Sequence, residues 1–207
     1  MNNKNKLIEL IHMQKREEST KLALKMLDEK EVSIVELYED VLKKALYNIE
    51  CDEQDRECIW KEHIKTAIVR TIIEVSYPYI LDVKKNVKVN GKKVLVVCPP
   101  EEYHEIGAKM VHDYFTLNGF DSTFIGANTP VDVIVDSIEY TNPDYVAISV
   151  TNLYNIVNAK KIIEKIKISN KDIIVLAGGQ AFNNEGSLDA VKADHHLTDY
   201  ESIKELL

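Results

Sequence analysis

The spacing of hydrophobic residues changes once along the chain, close to residue 85. Before that point, apolar residues recur at intervals of about three and four, as they do on one face of an α-helix, and glycine is absent. After it, short runs of β-branched and aliphatic residues alternate with helical spacing, as in parallel strands joined by helices. The sequence therefore predicts two domains, a helical bundle over residues 1–85 and an α/β domain over residues 86–207.

The first domain is predicted to contain about four helices. The pair Ser33 and Glu36 resembles a capping box, which would start a helix at that point. A further apolar series covers Ile59–Ile73, and Tyr79–Leu81 is expected to add a short last turn. Charged residues, Asn and Gly replace the apolar period over residues 82–91, which we interpret as the linker between the domains.

The second domain is predicted to fold as a doubly wound, parallel five-stranded sheet of the Rossmann-like α/β class. The expected strands are Val94–Cys98, Ser122–Ile125, Tyr145–Val150, Ile173–Ala177 and His196–Leu197. The expected helices are His104–Leu117, Val131–Tyr140, Val157–Ile168, Asn184–Val191 and Tyr200–Leu207. Right-handed crossovers bring the loops that follow the strands to one edge of the sheet, where such folds bind ligands.

Composition narrows the range of functions. The formal net charge of −8 argues against nucleic-acid binding, which needs a basic face to neutralise phosphates. No stretch of about 18 apolar residues is present and the N-terminus lacks a signal-peptide core, so we expect a soluble, cytoplasmic protein without membrane contact. Cys51, Cys58 and Cys98 are odd in number and lack CxxC spacing, which favours neither a disulfide framework nor a thiolate zinc site.

The loop after the first predicted strand carries the most distinctive chemistry. Over residues 99–107 it contains two prolines, three glutamates and a histidine, where a dinucleotide site would need G-x-G-x-x-G. Carboxylates repel phosphate, whereas neutral imidazole is a common metal ligand, so His104 is a candidate ligand. Glu102 would then accept a hydrogen bond from the other ring nitrogen. A solvated loop histidine is the alternative when His104 is considered by itself.

Two later features fall at the ends of predicted strands and therefore at the same edge of the sheet. Ser149–Thr151 follows the third strand and Gly178–Gly179 the fourth. Each has a structural alternative, since serine is a favoured helix N-cap and a glycine pair suits a strand-to-helix turn. Their joint spacing is more informative, because 41 residues separate Gly107 from Ser149 and 26 separate Thr151 from Gly178.

Together these residues resemble the cobalamin-binding domain shared by methionine synthase, the corrinoid proteins of methanogens and acetogens, and the CarH-type light-sensing regulators. The fingerprint of that family is D-x-H-x-x-G, then S-x-L, then Gly-Gly. Glu102–Gly107 matches the first part with Glu in place of Asp, Ser149–Thr151 the second with Thr in place of Leu, and Gly178–Gly179 the third. The resemblance extends over nearly the whole chain, because these proteins also place a helical bundle before the domain.

The resemblance implies that cobalamin is the cofactor and that His104 is the lower ligand of its cobalt, displacing the dimethylbenzimidazole base. Glu102 would tune that bond, and its extra methylene relative to Asp leaves the strength of the bond open. Ser149 would hydrogen-bond the displaced base, while the glycines would let the nucleotide tail pass close to the backbone. The residues that the resemblance assigns to the cofactor in this domain are Glu102, Tyr103, His104, Glu105, Ile106, Gly107, Ser149, Val150, Thr151, Gly178 and Gly179.

The helical domain contains Trp60, Glu62 and His63, which resemble the E-H-x-x-S/T signature of CarH-like caps. The resemblance implies that these residues face the upper side of the corrin, and the alternative is a core Trp60 with His63 as a hydrogen-bonded histidine of the bundle. CarH-type proteins have a tryptophan ten residues before the Glu, where this chain has Asp52 next to Cys51. Either Trp60 replaces that tryptophan or the cap suits a different upper ligand.

The resemblance leaves the biological role open. The preferred role, on the Glu62–His63 motif, is a sensor or regulatory module that responds to adenosylcobalamin and its light-sensitive upper ligand, although the chain has neither the length nor the basic charge of a DNA-binding output module. A methyl carrier that works with separate methyltransferases through methylcobalamin is the alternative, and cofactor storage or delivery is a third. In each role we expect a regulator or methyltransferase as protein partner, and a homo-oligomer is compatible with all three. The chain alone is not expected to complete a reaction cycle.

Overall fold

A computed structural model describes residues 2–47, 56–184 and 186–207 of the protein. The chain divides into two units, Met1–Lys85 and Asn86–Leu207. The described part of the first unit is helical and the second unit is an α/β sheet domain, so the predicted fold class is confirmed. None of the helices in the described ranges is long and apolar enough to cross a membrane.

The N-terminal unit consists of helices whose apolar faces pack together. Its helices are α1 (Asn3–His12), α2 (Arg16–Asp28), α3 (Ile34–Glu36), α4 (Lys43–Tyr47) and α5 (Arg56–Lys84), with a π-helical segment at Leu37–Leu42 between α3 and α4. Leu7, Ile11 and Ile72 are fully buried. The expected capping box is present, because the Glu36 amide donates to Ser33 Oγ at 3.2 Å and the Ser33 amide donates to Glu36 Oε2 at 2.9 Å.

Helix α5 continues further than the sequence predicts. Tyr79–Leu81 was expected to add a short last turn before a linker that starts at Asp82, but α5 passes without interruption through Pro78 and ends only at Lys84. Proline in a helix interior removes one hydrogen bond and costs about 3 kcal/mol. Here Ile80 is fully buried and the Tyr79 hydroxyl donates a hydrogen bond to Asp28 of α2. Tertiary contacts beyond the proline therefore keep the helix intact.

The C-terminal unit alternates strands and helices. Its strands are β1 (Lys93–Val97), β2 (Asp121–Gly126), β3 (Tyr145–Ser149), β4 (Ile174–Gly178) and β5 (His195–Leu197). Its helices are α6 (Ile106–Leu117), α7 (Val131–Thr141), α8 (Ile156–Ser169), α9 (Ser187–Val191) and α10 (Tyr200–Lys204), with 3₁₀ turns at Leu153–Asn155 and Gln180–Asn183. Each strand begins and ends within one residue of its predicted bounds.

One boundary differs in a way that matters for the site. The sequence predicts a helix from His104 onwards, but α6 begins only at Ile106. The Glu105 amide instead donates to the Tyr103 carbonyl at 3.1 Å, which makes a turn ahead of the helix. His104 therefore lies in the loop between β1 and α6 and not on the helix itself.

The sheet is entirely parallel, with the strand order β2-β1-β3-β4-β5. From β1 the chain crosses outward to β2 and then returns to the other side of β1 to form β3. The connections that leave β1 and β3 consequently run in opposite directions. A crevice opens between them at the carboxyl ends of the two strands, which is the topological switch point where such sheets bind ligands.

The central strands are buried on both faces, which fixes the position of that crevice. Leu95, Val97, Val146, Ile148 and Val175 are at most 1% exposed and pack in one core with residues of α7 and α8. Burial of each such side chain contributes roughly 1.5–3 kcal/mol of hydrophobic free energy. The crevice is thus supported by the most strongly buried part of this unit.

At the opposite edge of the sheet, where the strands begin, two aspartates make matching hydrogen bonds to neighbouring strands. Asp144 precedes β3; its Oδ2 accepts the Lys93 amide of β1 at 2.8 Å, and its own amide donates to the Lys93 carbonyl at 3.0 Å. Asp194 precedes β5 and makes the same pair of bonds with Val175 of β4, at 2.6 and 2.8 Å. Side chains therefore fasten the amino edge, where the strands begin.

We expect Asp144→Asn to reduce stability in a pH-dependent manner. The backbone hydrogen bond from Lys93, together with the Lys92 ammonium, lowers the pKa of Asp144 despite its partial burial. Because the folded pKa lies below the unfolded value of about 3.9, the stabilisation is complete above that value and is lost as the pH falls through the folded pKa. The variant should be about 1 kcal/mol less stable at neutral pH, since the carboxylate is partly exposed.

Urea unfolding at several pH values measures this difference. The stability gap between the natural protein and the Asp144→Asn variant should shrink as the pH is lowered below about 4. A gap that stays constant from neutral pH to about pH 3 would show that the charge of Asp144 does not contribute.

Candidate functional site

The loop after β1 places a buried carboxylate at the switch point. Pro99 and Pro100 follow the strand, and Glu101 then adopts a left-handed backbone conformation with φ of 65°. The next side chain, that of Glu102, is fully buried. A buried charge is costly unless hydrogen bonds compensate for lost water, so the contacts of Glu102 decide whether this loop is stable.

Five hydrogen bonds converge on the Glu102 carboxylate. Its Oε1 accepts the amide of His104 at 3.0 Å and lies 2.6 Å from Nδ1 of the same residue. Its Oε2 accepts the amides of Thr151 and Asn152, both at 2.9 Å, and the side-chain amide of Asn155 at 3.2 Å. Because the last three residues follow β3, one carboxylate joins the loops on both sides of the crevice.

The Glu102 carboxylate is held in its ionised form. Burial raises its pKa, but hydrogen bonds from the His104 ring, from the backbone and from Asn155 outweigh burial and lower the pKa to about 2. At neutral pH the carboxylate can only accept hydrogen bonds, so Nδ1 of His104 carries the donated proton. This contact fixes both the tautomer and the orientation of the imidazole.

The His104 ring is the group that would reach a ligand. Its side chain is 55% exposed, and with Nδ1 turned to Glu102, Nε2 is the nitrogen that would bind a metal. Within residues 2–47, 56–184 and 186–207, no group of three or more His, Cys, Asp or Glu side chains could hold a metal ion. A single neutral imidazole suits a metal that arrives with its other ligands already in place, as cobalt does in a corrin ring. The donor chemistry therefore fits cobalamin.

The loop after β2 fastens the same segment from the other side. The Glu105 carboxylate accepts the Ala127 amide at 3.0 Å. Asn128 is left-handed, with φ of 50°; its Oδ1 accepts the Glu101 amide and its own amide donates to the Glu102 carbonyl, both at 2.8 Å. The loop between β1 and α6 is thus held between the loops that follow β2 and β3.

Sequence reasoning did not identify the contacts of Asn128 and Asn155 with this loop. The available signal was weak: asparagine tolerates left-handed backbone and hydrogen-bonds nearby peptide groups, but it is frequent in many loops for these reasons. The contacts to Glu101 and Glu102 join residues 27 and 53 positions apart in sequence. Local spacing carries no information about such distant pairs.

The predicted residues at the end of β3 lie beside the crevice. Ser149 is the half-buried last residue of the strand, and Val150 is buried. Thr151 follows and gives its amide to Glu102. Asn152, not Ser149, caps the 3₁₀ turn that comes next. A capping function therefore does not account for Ser149.

The glycine pair at the end of β4 packs closely against the backbone of neighbouring segments. Gly179 has φ of 101°, and a Cβ there would lie 2.3 Å from the Val150 carbonyl oxygen. A Cβ on Gly178 would lie 3.0 Å from the Leu197 carbonyl oxygen. The conformation and packing of the chain therefore require glycine at position 179, and a side chain at position 178 would fit only with a small shift of Leu197. Gly107, in the first turn of α6, differs because a Cβ there would meet nothing within 4 Å.

Exposed apolar side chains occur on the same loops as His104 and its anchors. Tyr103 precedes His104, and Leu153 and Tyr154 follow β3; each is at least half exposed, and Tyr154 is 83% exposed. Ile106, the first residue of α6, is by contrast buried. The two loops that border the crevice therefore present apolar surface to the solvent.

Cys98 lies at the end of β1 and is a buried free thiol. Burial raises its pKa to about 12, and the negative charges of Glu102 and Glu105 act in the same direction. The thiolate is the form that binds metals. Cys98 is therefore a neutral core residue at neutral pH.

The candidate cap residues lie on α5 of the N-terminal unit. Trp60 and His63 are exposed and Glu62 is half-buried. The alternative of a core tryptophan is therefore wrong. Cys51 and Asp52, which the comparison with CarH-type caps brought into question, lie outside the described residues.

A parallel α/β sheet whose switch point holds an exposed histidine, oriented by a buried carboxylate, defines a class of domains suited to a metal-containing cofactor. The chain belongs to the B12 binding domain family, which it matches over residues 92–201. Cobalamin is therefore its cofactor, and the resemblance found in the sequence is confirmed.

Solved structures show the same fold. The Methanosarcina barkeri monomethylamine corrinoid protein is similar over 98% of this chain and 95% of its own, with a TM-score of 0.79 and 16% identity. A novel cobalamin-binding protein from Desulfitobacterium hafniense DCB-2 has a TM-score of 0.51 at 15% identity, over 98% of this chain and 96% of its own. The methanol:cobalamin methyltransferase complex MtaBC from Methanosarcina barkeri has a TM-score of 0.52 at 13% identity, over 96% and 75%. At these identities the similarity concerns the fold alone.

A relative is also recognisable by sequence. The chain is 26% identical over 89 residues to the HTH-type transcriptional repressor CarA of Myxococcus xanthus. The matched segment is 43% of this chain and 29% of the repressor, so the chain spans less than a third of that relative.

We expect Glu102→Gln to destabilise the protein. Glutamine would place an NH₂ group against donors that the carboxylate now accepts, and leaving buried donors without an acceptor costs about 2–3 kcal/mol. Urea unfolding of the ligand-free variant measures the loss. The matched control is Glu101→Gln, whose side chain is exposed and which should change stability by less than about 0.5 kcal/mol. Equal stability of the two variants would contradict the central position of Glu102.

Proposed function

We propose that the protein is a corrinoid carrier, which holds cobalamin on the carboxyl edge of the sheet and works with separate methyltransferases. Nε2 of His104 would ligate the cobalt, and bound cobalamin would supply the chemistry of methyl-group transfer. The residues of the chain bind and orient the cofactor, and none of them is assigned a catalytic role.

The side chains around the crevice divide this task. Glu102 keeps Nδ1 of His104 protonated and the ring fixed, so that Nε2 presents its lone pair. Ser149 would donate a hydrogen bond to the displaced base, with Val150 and Thr151 beside it. The open space next to Gly107 receives the nucleotide tail. In this proposal the cofactor enters a site whose ligand is oriented before binding, which reduces the entropy lost on binding.

The extent of the fold similarity is the observation that carries this proposal. The monomethylamine corrinoid protein of Methanosarcina barkeri covers 98% of this chain, so both units, and not the cobalamin domain alone, have counterparts in a corrinoid protein. The similarity to the methyltransferase complex MtaBC supports a methyltransferase as the class of partner.

A cobalamin-dependent sensor is the second candidate function. The sequence identity with the transcriptional repressor CarA favours it. In this alternative the exposed Trp60 and His63, with Glu62 between them, contact the upper ligand, and a regulatory partner responds to its state. Light acting on adenosylcobalamin would be one way to change that state.

The two functions predict different responses to the upper ligand. As a carrier, the protein should bind methylcobalamin and adenosylcobalamin without strong preference, because recognition resides at the lower face. Its oligomeric state, measured by light scattering, should be the same in the dark and after illumination. A clear preference for adenosylcobalamin, together with a change of oligomeric state on illumination, would support the sensor instead.

We expect His104→Ala to change the spectrum of bound cobalamin. Loss of the imidazole removes the lower nitrogen ligand, so the absorbance should shift from the histidine-ligated to the base-off form. The matched control is His195→Ala, since His195 is an exposed histidine of the same unit at the first position of β5 and should leave the spectrum unchanged. An identical spectrum for His104→Ala and the natural protein would refute the assignment of His104.

A further inference from the structure

The conformation of Glu101 decides where the next residue points. Its φ of 65° lies in the left-handed region, which is unfavourable for residues with a Cβ. Its side chain is exposed, so packing of that side chain does not hold the backbone in place. The residue nevertheless directly precedes the fully buried Glu102. Something other than the Glu101 side chain must stabilise this turn.

The peptide groups of Glu101 are both taken by asparagine side chains. Its amide donates to Oδ1 of Asn128 at 2.8 Å, and its carbonyl accepts Nδ2 of Asn155 at 3.1 Å. Asn128 belongs to the loop after β2 and Asn155 to the turn after β3, so the two contacts come from loops on opposite sides of β1. Together they clamp one residue from two directions.

We propose that Asn128 and Asn155 are positioning residues for the lower ligand of the cofactor. By holding Glu101 in the left-handed conformation, they aim Glu102 into the crevice, and Glu102 orients His104. Both asparagines act through these residues and not by contact with cobalamin. The inference goes beyond the proposed function and rests on it only for the spectral readout described below.

Further contacts of the two asparagines fit this role. The backbone amide of Asn128 also donates to the backbone carbonyl of Glu102 at 2.8 Å. Nδ2 of the Asn155 side chain also donates to Glu102 Oε2 at 3.2 Å. Asn155 is only 4% exposed, and its buried side-chain amide donates to both Glu101 and Glu102. Asn128 is itself left-handed, which asparagine tolerates better than most residues. The two positions differ chemically, because one acts as acceptor and the other as donor toward Glu101.

The first test uses the ligand-free protein. The proton on Nδ1 of His104, held by Glu102, is followed by NMR, and its signal is assigned with the His104→Ala variant. Asn128→Ala should accelerate exchange of this proton with water by about tenfold, since one hydrogen bond that orders the loop is lost. Asn128→Asp keeps the acceptor oxygen and should exchange at the natural rate. Unchanged exchange in Asn128→Ala would overturn the proposal.

A rescue experiment tests whether Asn128 acts through the backbone conformation of Glu101 or through the general stability of the loop. Glycine adopts left-handed backbone without the penalty of a Cβ. Adding Glu101→Gly to Asn128→Ala should therefore restore most of the natural exchange rate of the His104 proton. A double variant that exchanges as fast as Asn128→Ala alone would show that Asn128 does not act through the conformation of Glu101.

The position at Asn155 has its own chemical test. Aspartate has nearly the size of asparagine but no NH₂ group, so Asn155→Asp cannot donate to the Glu101 carbonyl. We expect Asn155→Asp to accelerate exchange of the His104 proton, in contrast to Asn128→Asp. If both aspartate variants leave the exchange rate unchanged, the assignment of a donor role to Asn155 is wrong.

Asn142 provides the matched control. It is also a left-handed asparagine, with φ of 46°, but it ends α7 near the amino edge of the sheet. Asn142→Ala should lower stability in urea unfolding and leave the His104 proton unchanged. Equal acceleration by Asn142→Ala and Asn128→Ala would mean that general destabilisation is responsible, and would overturn the proposal.

The second readout uses protein reconstituted with cobalamin. Asn128→Ala should reduce the histidine-ligated fraction in the absorbance spectrum, and Glu101→Gly should restore it. If the ligand-free protein behaves as expected but the spectra of all variants are alike, the positioning role of the asparagines stands and the ligation of cobalt by His104 fails. The two readouts therefore distinguish failure of this inference from failure of the proposed function.

Discussion

The burial of one negative charge governs the arrangement of the whole carboxyl edge. Glu102 is fully removed from water, and an isolated carboxylate in such a place would cost several kcal/mol. Donors from His104 and from the loop after β3 compensate for that cost only when both loops close around the carboxylate. The atoms that make the loops fold are thus the same atoms that orient the imidazole. Stability and ligand geometry cannot be adjusted independently here.

The two edges of the sheet use aspartate and glutamate for different purposes. At the amino edge, Asp144 and Asp194 each exchange hydrogen bonds with the first residues of a neighbouring strand. At the carboxyl edge, Glu102 links loops rather than strands, and one of its oxygens faces an exposed histidine. The strands are fastened where they begin, and the loops at their other ends depend on a few polar contacts for their conformation. Binding residues of α/β proteins commonly lie on such loops, which the sheet positions.

Features that depend on neighbouring residues were predictable from the sequence. Runs such as Val94–Val97 predict a central strand because both faces of a parallel sheet are buried, and the pair Ser33 and Glu36 predicts a helix start because the capping contact is local. The pairing of Glu102 with His104 was equally accessible, because the two residues are only two positions apart. Locality is what these correct expectations share.

Features that depend on distant residues were not predictable. A proline is locally unfavourable in a helix interior, but the buried Ile80 and the contact of Tyr79 with Asp28 accompany a helix α5 that continues through Pro78. The glycine pair after β4 lies where a Cβ would approach the carbonyl oxygens of Val150 and Leu197, which are distant in sequence. In each case a tertiary contact outweighs a local preference, and single-sequence patterns do not encode such contacts.

The exposed side chains of Tyr103, Leu153 and Tyr154 have a consequence for the equilibrium between the folded and unfolded protein. Burial of such exposed apolar groups against a bound partner is favourable, because it removes apolar surface from water. A ligand that binds only the native loops shifts the folding equilibrium toward the native state by mass action. Binding of cobalamin to these native loops would therefore favour the folded state over the unfolded state, which is the form that proteases degrade.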